Sequence, residues 1–323
     1  DVTHLSLDWD AAFRSDAARG LQQAVFWGLG ADGTVSANKN SIKIVGEATE
    51  LYAQGYFVYD SKKSGAVTVS HLRFGNVPIR STYLVEEGMA GFVACHQTVF
   101  IERYDLLAHA APGGVFLLNT PSPAESVWNS LPEKMRAQIR DKQLQLWVID
   151  AYAVATAAGM GRRINTIMQT CFFAISGILP RDQAIAAIKK AVDKTYGKKS
   201  KRLADLNYRA IDKTLEHLHK AVIPALVPEW GKAGITDAST SWTPAFTGVT
   251  VENLPAFVRD VTLPIYHGNG DALPVSLMSI DGTFPVGTAQ YEKRNIALEI
   301  PVWEADICTQ CGKCVFVCPH SAI

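Results

Sequence analysis

The chain has no run of about 18 apolar residues, the length a membrane-spanning helix needs, and a spanning segment is not expected. It has no internal repeat and no low-complexity tract, which argues against a solenoid or a disordered tail. It also has no excess of either charge: 31 Lys and Arg face 31 Asp and Glu. No global field is available to gather nucleic acid or an anionic membrane, so neither is expected as a partner. Walker loops and serine-hydrolase elbows are missing. So is a signal peptide, and the first residue is Asp1 rather than Met, which reads as one part of a longer polypeptide. Cysteine is scarce and lopsided, with six in 323 residues. Cys95 and Cys171 stand alone among apolar residues and read as buried thiols. A disulfide scaffold is excluded, and a reducing compartment is expected, either the cytoplasm or a reducing organelle lumen.

A hydrophobic fraction of 48% is ample for a packed core, and the length suggests two compact units. Residues 1–20 read as an incoming linker. Residues 21–225 alternate short apolar or β-branched runs (Gln23–Leu29, Tyr56–Tyr59, Val67–Leu72, Phe92–Cys95, Val115–Leu118, Leu144–Ile149) with helical spacing. Val35, Ile42, Val45 and Tyr52 recur at roughly helical intervals. This pattern predicts an α/β domain with a mostly parallel sheet and flanking helices. Three helices are expected to close it, over about 164–179, 182–195 and 200–222. The Met168 and Phe172 stripe of the first reads as core. Residues 226–303, rich in Pro and Gly, read as an extended connector with short strands. Residues 304–323 read as the first part of a ferredoxin-like iron–sulfur domain.

That last reading rests on Cys308-Thr-Gln-Cys311-Gly-Lys-Cys314-Val-Phe-Val-Cys318-Pro319. C-x2-C-x2-C-x3-C-P is the spacing of a bacterial [4Fe–4S] site, whereas zinc sites usually use two separated pairs. Cys308, Cys311 and Cys314 serve one cluster, and the fourth cysteine of such a run serves another. A second run is therefore expected beyond Ile323, and an isolated chain is expected to hold its cluster poorly.

Gly28-Leu-Gly30-Ala-Asp-Gly33 follows a predicted strand and opens a predicted helix. There the backbone can approach a phosphate, and the helix start supplies N–H donors. Thr34 and Lys39 add a hydroxyl and an ammonium. A glycine turn that only packs strand on helix remains the alternative. After the second strand, Asp60 with Lys62 and Lys63 suits a ribose carrying an extra phosphate, or a solvated turn. Arg162, Arg163 and Asn165 open the first closing helix as a further anion contact or as surface. The lysines of 189–201 read as a solvated face, or else as a dock for an acidic redox partner. Cys95-His96 reads as structural.

Three stretches carry a resemblance: Gly28–Ile44, Tyr52–Gly65 and Ser70–Gly75. Gly161–Asn165, Met168–Thr170, Tyr196–Lys199 and Tyr291–Arg294 extend it. Together they resemble the pyruvate:ferredoxin (flavodoxin) oxidoreductases from about residue 20 to the end, with Ser36 departing from a glycine of the family pattern. The resemblance implies a multidomain enzyme that decarboxylates pyruvate oxidatively with coenzyme A. Thiamine diphosphate and Mg carry the carbanion chemistry, and [4Fe–4S] clusters pass electrons to ferredoxin or flavodoxin. It implies a homodimer at full length. This chain corresponds to the gamma-type domain, the connector and the start of the ferredoxin-like domain. The thiamine motif, Gly-Asp-Gly with a later Asn-Asn, is absent here. Carried over by position, Gly30, Asp32, Gly33, Thr34, Lys39, Lys62, Lys63 and Asn165 are the candidate coenzyme A contacts. Cys308, Cys311, Cys314 and Cys318 are the candidate metal ligands. Two other readings stay open: a pyruvate:NADP oxidoreductase with a fused flavin reductase, and a non-catalytic interaction module with a remnant cluster motif.

Overall fold

In a computed structural model, the described residues are 10, 13, 20–30, 32–59, 66–80, 84–197, 200–224, 254–267, 269–291 and 302–318. The chain divides into two units, Asp1–Lys293 and Arg294–Ile323.

In the first unit, strand β1 (Gln22–Leu29) is apolar on both faces and buried on both. It runs through the Gly30–Gly33 turn into helix α1 (Thr34–Ala48). Next come β2 (Tyr52–Tyr59), β3 (Val67–Gly75), β4 (Ala90–Cys95) and β5 (Ala110–Asn119). Short α2 (Val127–Ser130) and α3 (Glu133–Asp141) lead to β6 (Gln145–Ile149) and α4 (Ala151–Ala157). Helices α5 (Asn165–Ile175), α6 (Arg181–Val192) and α7 (Lys201–His217) follow, with a two-residue strand β7 (His219–Lys220) behind them.

The sheet order is β2-β3-β1-β4-β5-β6-β7. The central strands β1, β4, β5 and β6 pair in parallel, and the outer pairings are antiparallel. Five of the seven strands thus share one direction, all but β3 and β7, and the sheet is mixed but mostly parallel. Both faces are covered, as parallel strands require. Ala24 and Phe26 of β1 face the core under α1 and α4–α7, while Val25 and Trp27 face the core under α2 and α3. Helix α5 is buried from Thr166 through Phe173 because it lies between the sheet and α6–α7. Phe172 meets Phe26 and Phe92 edge-on, each at 5.1 Å, so the Met and Phe stripe is core. Each such aromatic pair adds about 0.5–1.5 kcal/mol beyond its buried area. Cys95 and Cys171 lie in the cores, and burial pushes both thiols up, Cys95 to about 12.

Four local expectations change. Tyr52 opens β2 rather than closing α1, because α1 stops at Thr49, whose backbone is extended. β3 lies between β1 and β2, since the link from Tyr59 to Val67 is too short for a parallel crossover and makes a hairpin instead. α5 ends at Ile175, ahead of the left-handed Gly177, and not at 179. α7 ends at His217, where Leu218 becomes extended and β7 pairs with the free edge of β6.

The expected connector strands are absent among its described residues. Instead Val258–Thr262 winds as a π-turn into α8 (Leu263–Tyr266), and single 3-10 turns follow. Leu254, Val258, Leu263 and Tyr291 form a small core of their own. In the second unit, a 3-10 turn at Ala305–Ile307 precedes the five-residue α9 (Lys313–Val317). Among the described residues no helix is long and apolar enough to cross a membrane.

Candidate functional site

The carboxyl ends of the parallel strands place the glycine turn. Asp32 builds that turn: its Oδ2 accepts from Leu29 N and its Oδ1 from Thr34 N, both at 2.8 Å. The two bonds satisfy donors at the mouth of α1, as a capping carboxylate does. Gly33 sits at φ 90, where a side chain is strained. Gly28 is required for a different reason. A Cβ there would lie 2.4 Å from Thr34 Oγ1.

Thr34 itself is buried, and its hydroxyl meets His96 Nδ1 at 2.7 Å. His96 follows β4, with 2% of its surface exposed. Burial drives its pKa down to about 4, with Asp32 opposing the shift. Its backbone is pinned on both sides: its N–H donates to Trp27 O, and its carbonyl accepts from Asn119 Nδ2. Asn119 Oδ1 in turn accepts from Ala151 N at the start of α4. A hydrogen-bonded layer therefore runs along the carboxyl ends of β1, β4 and β5 to α4.

Between this turn and the helices lies a cavity of about 760 Å³. Asp32 and Gly33 form one wall, Gly159–Arg163 and Asn165 a second, and Leu203, Leu206 and Asn207 of α7 a third. The side chain of Asn165 would be 3.2 Å from a Cβ on Gly33, so the starts of α1 and α5 nearly touch. Neither first helical turn contains an acid. Two helix starts and two arginines therefore border one cavity, an arrangement suited to an anion. Arg162 also stacks over the Tyr152 ring at 6.0 Å, and Tyr152 Oη accepts from Gln97 Nε2.

Of the carried-over contacts, Asp32, Gly33 and Asn165 come together at this cavity, beside Arg162 and Arg163. Gly30 lies in the same turn and donates its N–H to Ala66 O at 2.7 Å. Thr34 is turned away towards His96. Lys39 is exposed on α1 with its ammonium 5.2 Å above Phe57. Lys62 and Lys63 lie outside the described residues. Their flanks, Tyr59 and Ala66, are at the same sheet edge, since Leu29 pairs with Val67 and Tyr59 with Thr68. His96 has the structural role the sequence suggested, but sequence reasoning missed the support supplied by Gln97, Asn119 and Tyr152. It also missed the wall from α7; the Gly159-Met-Gly161 bend was the available signal.

The cysteine segment is different. Cys308, Cys311 and Cys314 are exposed and Cys318 half-buried. Among the described residues no three Cys, His, Asp or Glu side chains gather closely enough to hold a metal ion. The donor chemistry nevertheless fits an iron–sulfur cluster. A hydrogen bond from Trp303 and one from the Gln310 amide hold the Cys308 thiol pKa below its usual value. The Lys313 amide and the Thr309 side chain do the same for Cys311. Gln310 and Gly312, both at positive φ, give the segment its bends.

Residues 23–217 match the family described as pyruvate ferredoxin/flavodoxin oxidoreductase. Residues 247–297 match a domain of unknown function, and residues 300–323 match a 4Fe-4S binding domain. Over 323 residues, 100% of the chain, it is 56% identical to a pyruvate-flavodoxin oxidoreductase of Nostoc sp. and 51% identical to one of Rhodospirillum rubrum. It is 47% identical over the same span to a pyruvate:ferredoxin oxidoreductase of Moorella thermoacetica. It covers 26% of each of these relatives, about a quarter of their length.

Proposed function

The chain belongs to the pyruvate ferredoxin/flavodoxin oxidoreductase family, and from that membership we propose that it is the coenzyme A-binding and electron-carrying segment of a longer enzyme. The reaction converts pyruvate and coenzyme A into acetyl-CoA, CO2 and a proton, with two electrons leaving singly to a flavodoxin or ferredoxin. The observation that carries the coenzyme A half is the cavity between the Gly33 turn and Arg162–Asn165. Its size suits part of a nucleotide-bearing ligand, and its helix starts and arginines suit phosphate.

Each residue has a part in this reading. Asp32 and His96 hold the turn in shape. Gly33 lets the backbone approach a phosphate. Arg162, Arg163 and Asn165 contact the anion, and Lys62 and Lys63 reach the additional ribose phosphate. Cys308, Cys311 and Cys314 hold one [4Fe–4S] cluster, and Cys318 contributes to another. When bound, these clusters supply one-electron carriage. Thiamine diphosphate and Mg belong to parts of the polypeptide outside this chain, and the chain by itself binds coenzyme A without turning over pyruvate.

Calorimetric titration tests the reading. Coenzyme A should bind the wild-type chain, and R162Q/R163Q should weaken binding at least tenfold. Loss of two charge-assisted contacts, each worth roughly 1.5–3 kcal/mol, is enough for that. Dephospho-coenzyme A should bind more weakly than coenzyme A to the wild type only, not to K62A/K63A. Absence of coenzyme A binding to the wild-type chain would reject this half.

A further inference from the structure

The two arginines on the Gly159–Arg163 wall of the cavity are not equivalent. Gly159 and Gly161 sit at φ 79 and 63, so Arg162 and Arg163 are carried by a bend between α4 and α5 rather than by a helix. Both arginines are exposed. Among the described residues no carboxylate pairs with either guanidinium. Asp32, the acid that lines the same cavity, has its two oxygens engaged by Leu29 N and Thr34 N. Asp150, at the start of α4, accepts from Ala153 N. The Arg162 guanidinium instead lies over the Tyr152 ring, 6.0 Å from its centre. Among the described residues no ring takes Arg163 in this way.

Tyr152 is itself fixed. It belongs to α4, and its ring packs against the core beneath that helix. Its hydroxyl accepts from Gln97 Nε2 at 2.6 Å, and Gln97 is buried just after β4. The Gln97 carbonyl accepts in turn from Phe100 N. The ring is thus tied to the carboxyl end of the sheet, while the bend beside it is not. A guanidinium over an aromatic face is attracted by the ring quadrupole. An arginine placed before its ligand arrives gives up less side-chain freedom on binding.

We propose that Tyr152 is a positioning residue whose ring face holds the Arg162 guanidinium at the rim of the cavity, making Arg162 rather than Arg163 the principal anion contact. This rests on the reading of the cavity as the coenzyme A site. The test is calorimetric titration of the full-length polypeptide with coenzyme A, without pyruvate. Tyr152→Leu should weaken binding at least about threefold, and Tyr152→Phe, which keeps the ring, less than about twofold. A smaller loss in Y152L overturns the proposal. In an R162Q background the same Leu substitution should have almost no effect. A merely structural ring would weaken binding equally with and without Arg162, and that result also overturns the proposal. R162K and R163K change exposed side chains only, so they decide the matter even where Y152L does not fold. R162K keeps the charge but loses the planar guanidinium, and it should bind at least about threefold more weakly, against less than about twofold for R163K. Equal losses overturn the proposal. Inorganic diphosphate, titrated in parallel, separates the two readings. A wild type that binds diphosphate with the same dependence on Tyr152, but not coenzyme A, refutes the proposed function alone. One that binds coenzyme A without dependence on Tyr152 refutes the positioning role alone, and one that binds neither overturns both.

Discussion

The glycine turn and the cysteine segment, the two proposed ligand sites, are prepared in opposite ways. At the turn, Asp32 accepts from Leu29 N and Thr34 N and His96 Nδ1 meets the Thr34 hydroxyl, while His96 Nε2 is buried without a partner among the described residues; the neighbouring core holds these groups in place. In the cysteine segment the thiols of Cys308, Cys311 and Cys314 stand in solvent, and among the described residues no three metal-ligating groups are gathered. The first site is formed by folding. On the proposed reading the second is formed by its cluster, because free energy of metal binding can serve as free energy of folding. The two should respond differently to the same kind of damage.

The largest expected effect is on the cluster. Cys311→Ser should lower iron and acid-labile sulfide in anaerobically reconstituted protein at least tenfold. The thermal midpoint of the α/β domain should stay within about 1 °C, since Cys311 is exposed and is no member of that domain's core. A midpoint that fell with the iron would show that the two regions fold as one and would break the comparison.

Acid should act on the other region. His96 and His71 are pushed down to about 4, chiefly by burial, and His71 Nδ1 accepts the Val85 N–H, which requires the unprotonated nitrogen. The unfolded chain binds these protons near pH 6.5 and the folded chain does not. Stability is therefore full above about pH 6.5 and falls as pH drops towards 4, by roughly 1.4 kcal/mol per pH unit for each histidine. Denaturant melts across that range should show the slope, and His96→Gln should remove about one proton from it. A slope unchanged in H96Q would mean that His96 is not held neutral.

Gly28→Val comes next. The added atoms collide with Thr34, so a loss of about 1–3 kcal/mol is expected, with coenzyme A affinity reduced and iron content untouched. Calorimetry with iron analysis checks both halves. The smallest effect belongs to Lys39→Ala. Its ammonium rests over Phe57 on the exposed side of α1, so coenzyme A affinity should change less than about twofold, about 0.4 kcal/mol. A tenfold loss would return Lys39 to the contacts.

Much of this was legible in the chain, but unevenly. Gln23–Leu29 read as a strand because it is a short apolar run, and Gly28–Gly33 read as a turn because its glycines fall at G-x-G-x-x-G spacing; the positive φ of Gly33 agrees. That His96 is structural was legible, but what it supports was not. Its partner Thr34 is 62 residues away, and no local pattern relates them. The insertion of β3 between β1 and β2 was equally hidden. Alternating strands and helices suggest parallel neighbours, and only the shortness of the 60–66 link argues for a hairpin. Leu203, Leu206 and Asn207 reach the cavity because α7 packs on α5, a contact decided by the core.

By itself, the sequence determined the α/β class, the buried strands and the cysteine spacing. Each depends on periodicity or on intervals of a few residues, which the chain carries wherever it folds. Only the tertiary structure decided which glycine-turn residues face the cavity, that Asp32 and Thr34 serve the turn itself, and that two helix starts meet beside Arg162 and Arg163. Those outcomes depend on contacts between distant segments, and burial of the common core selects among them.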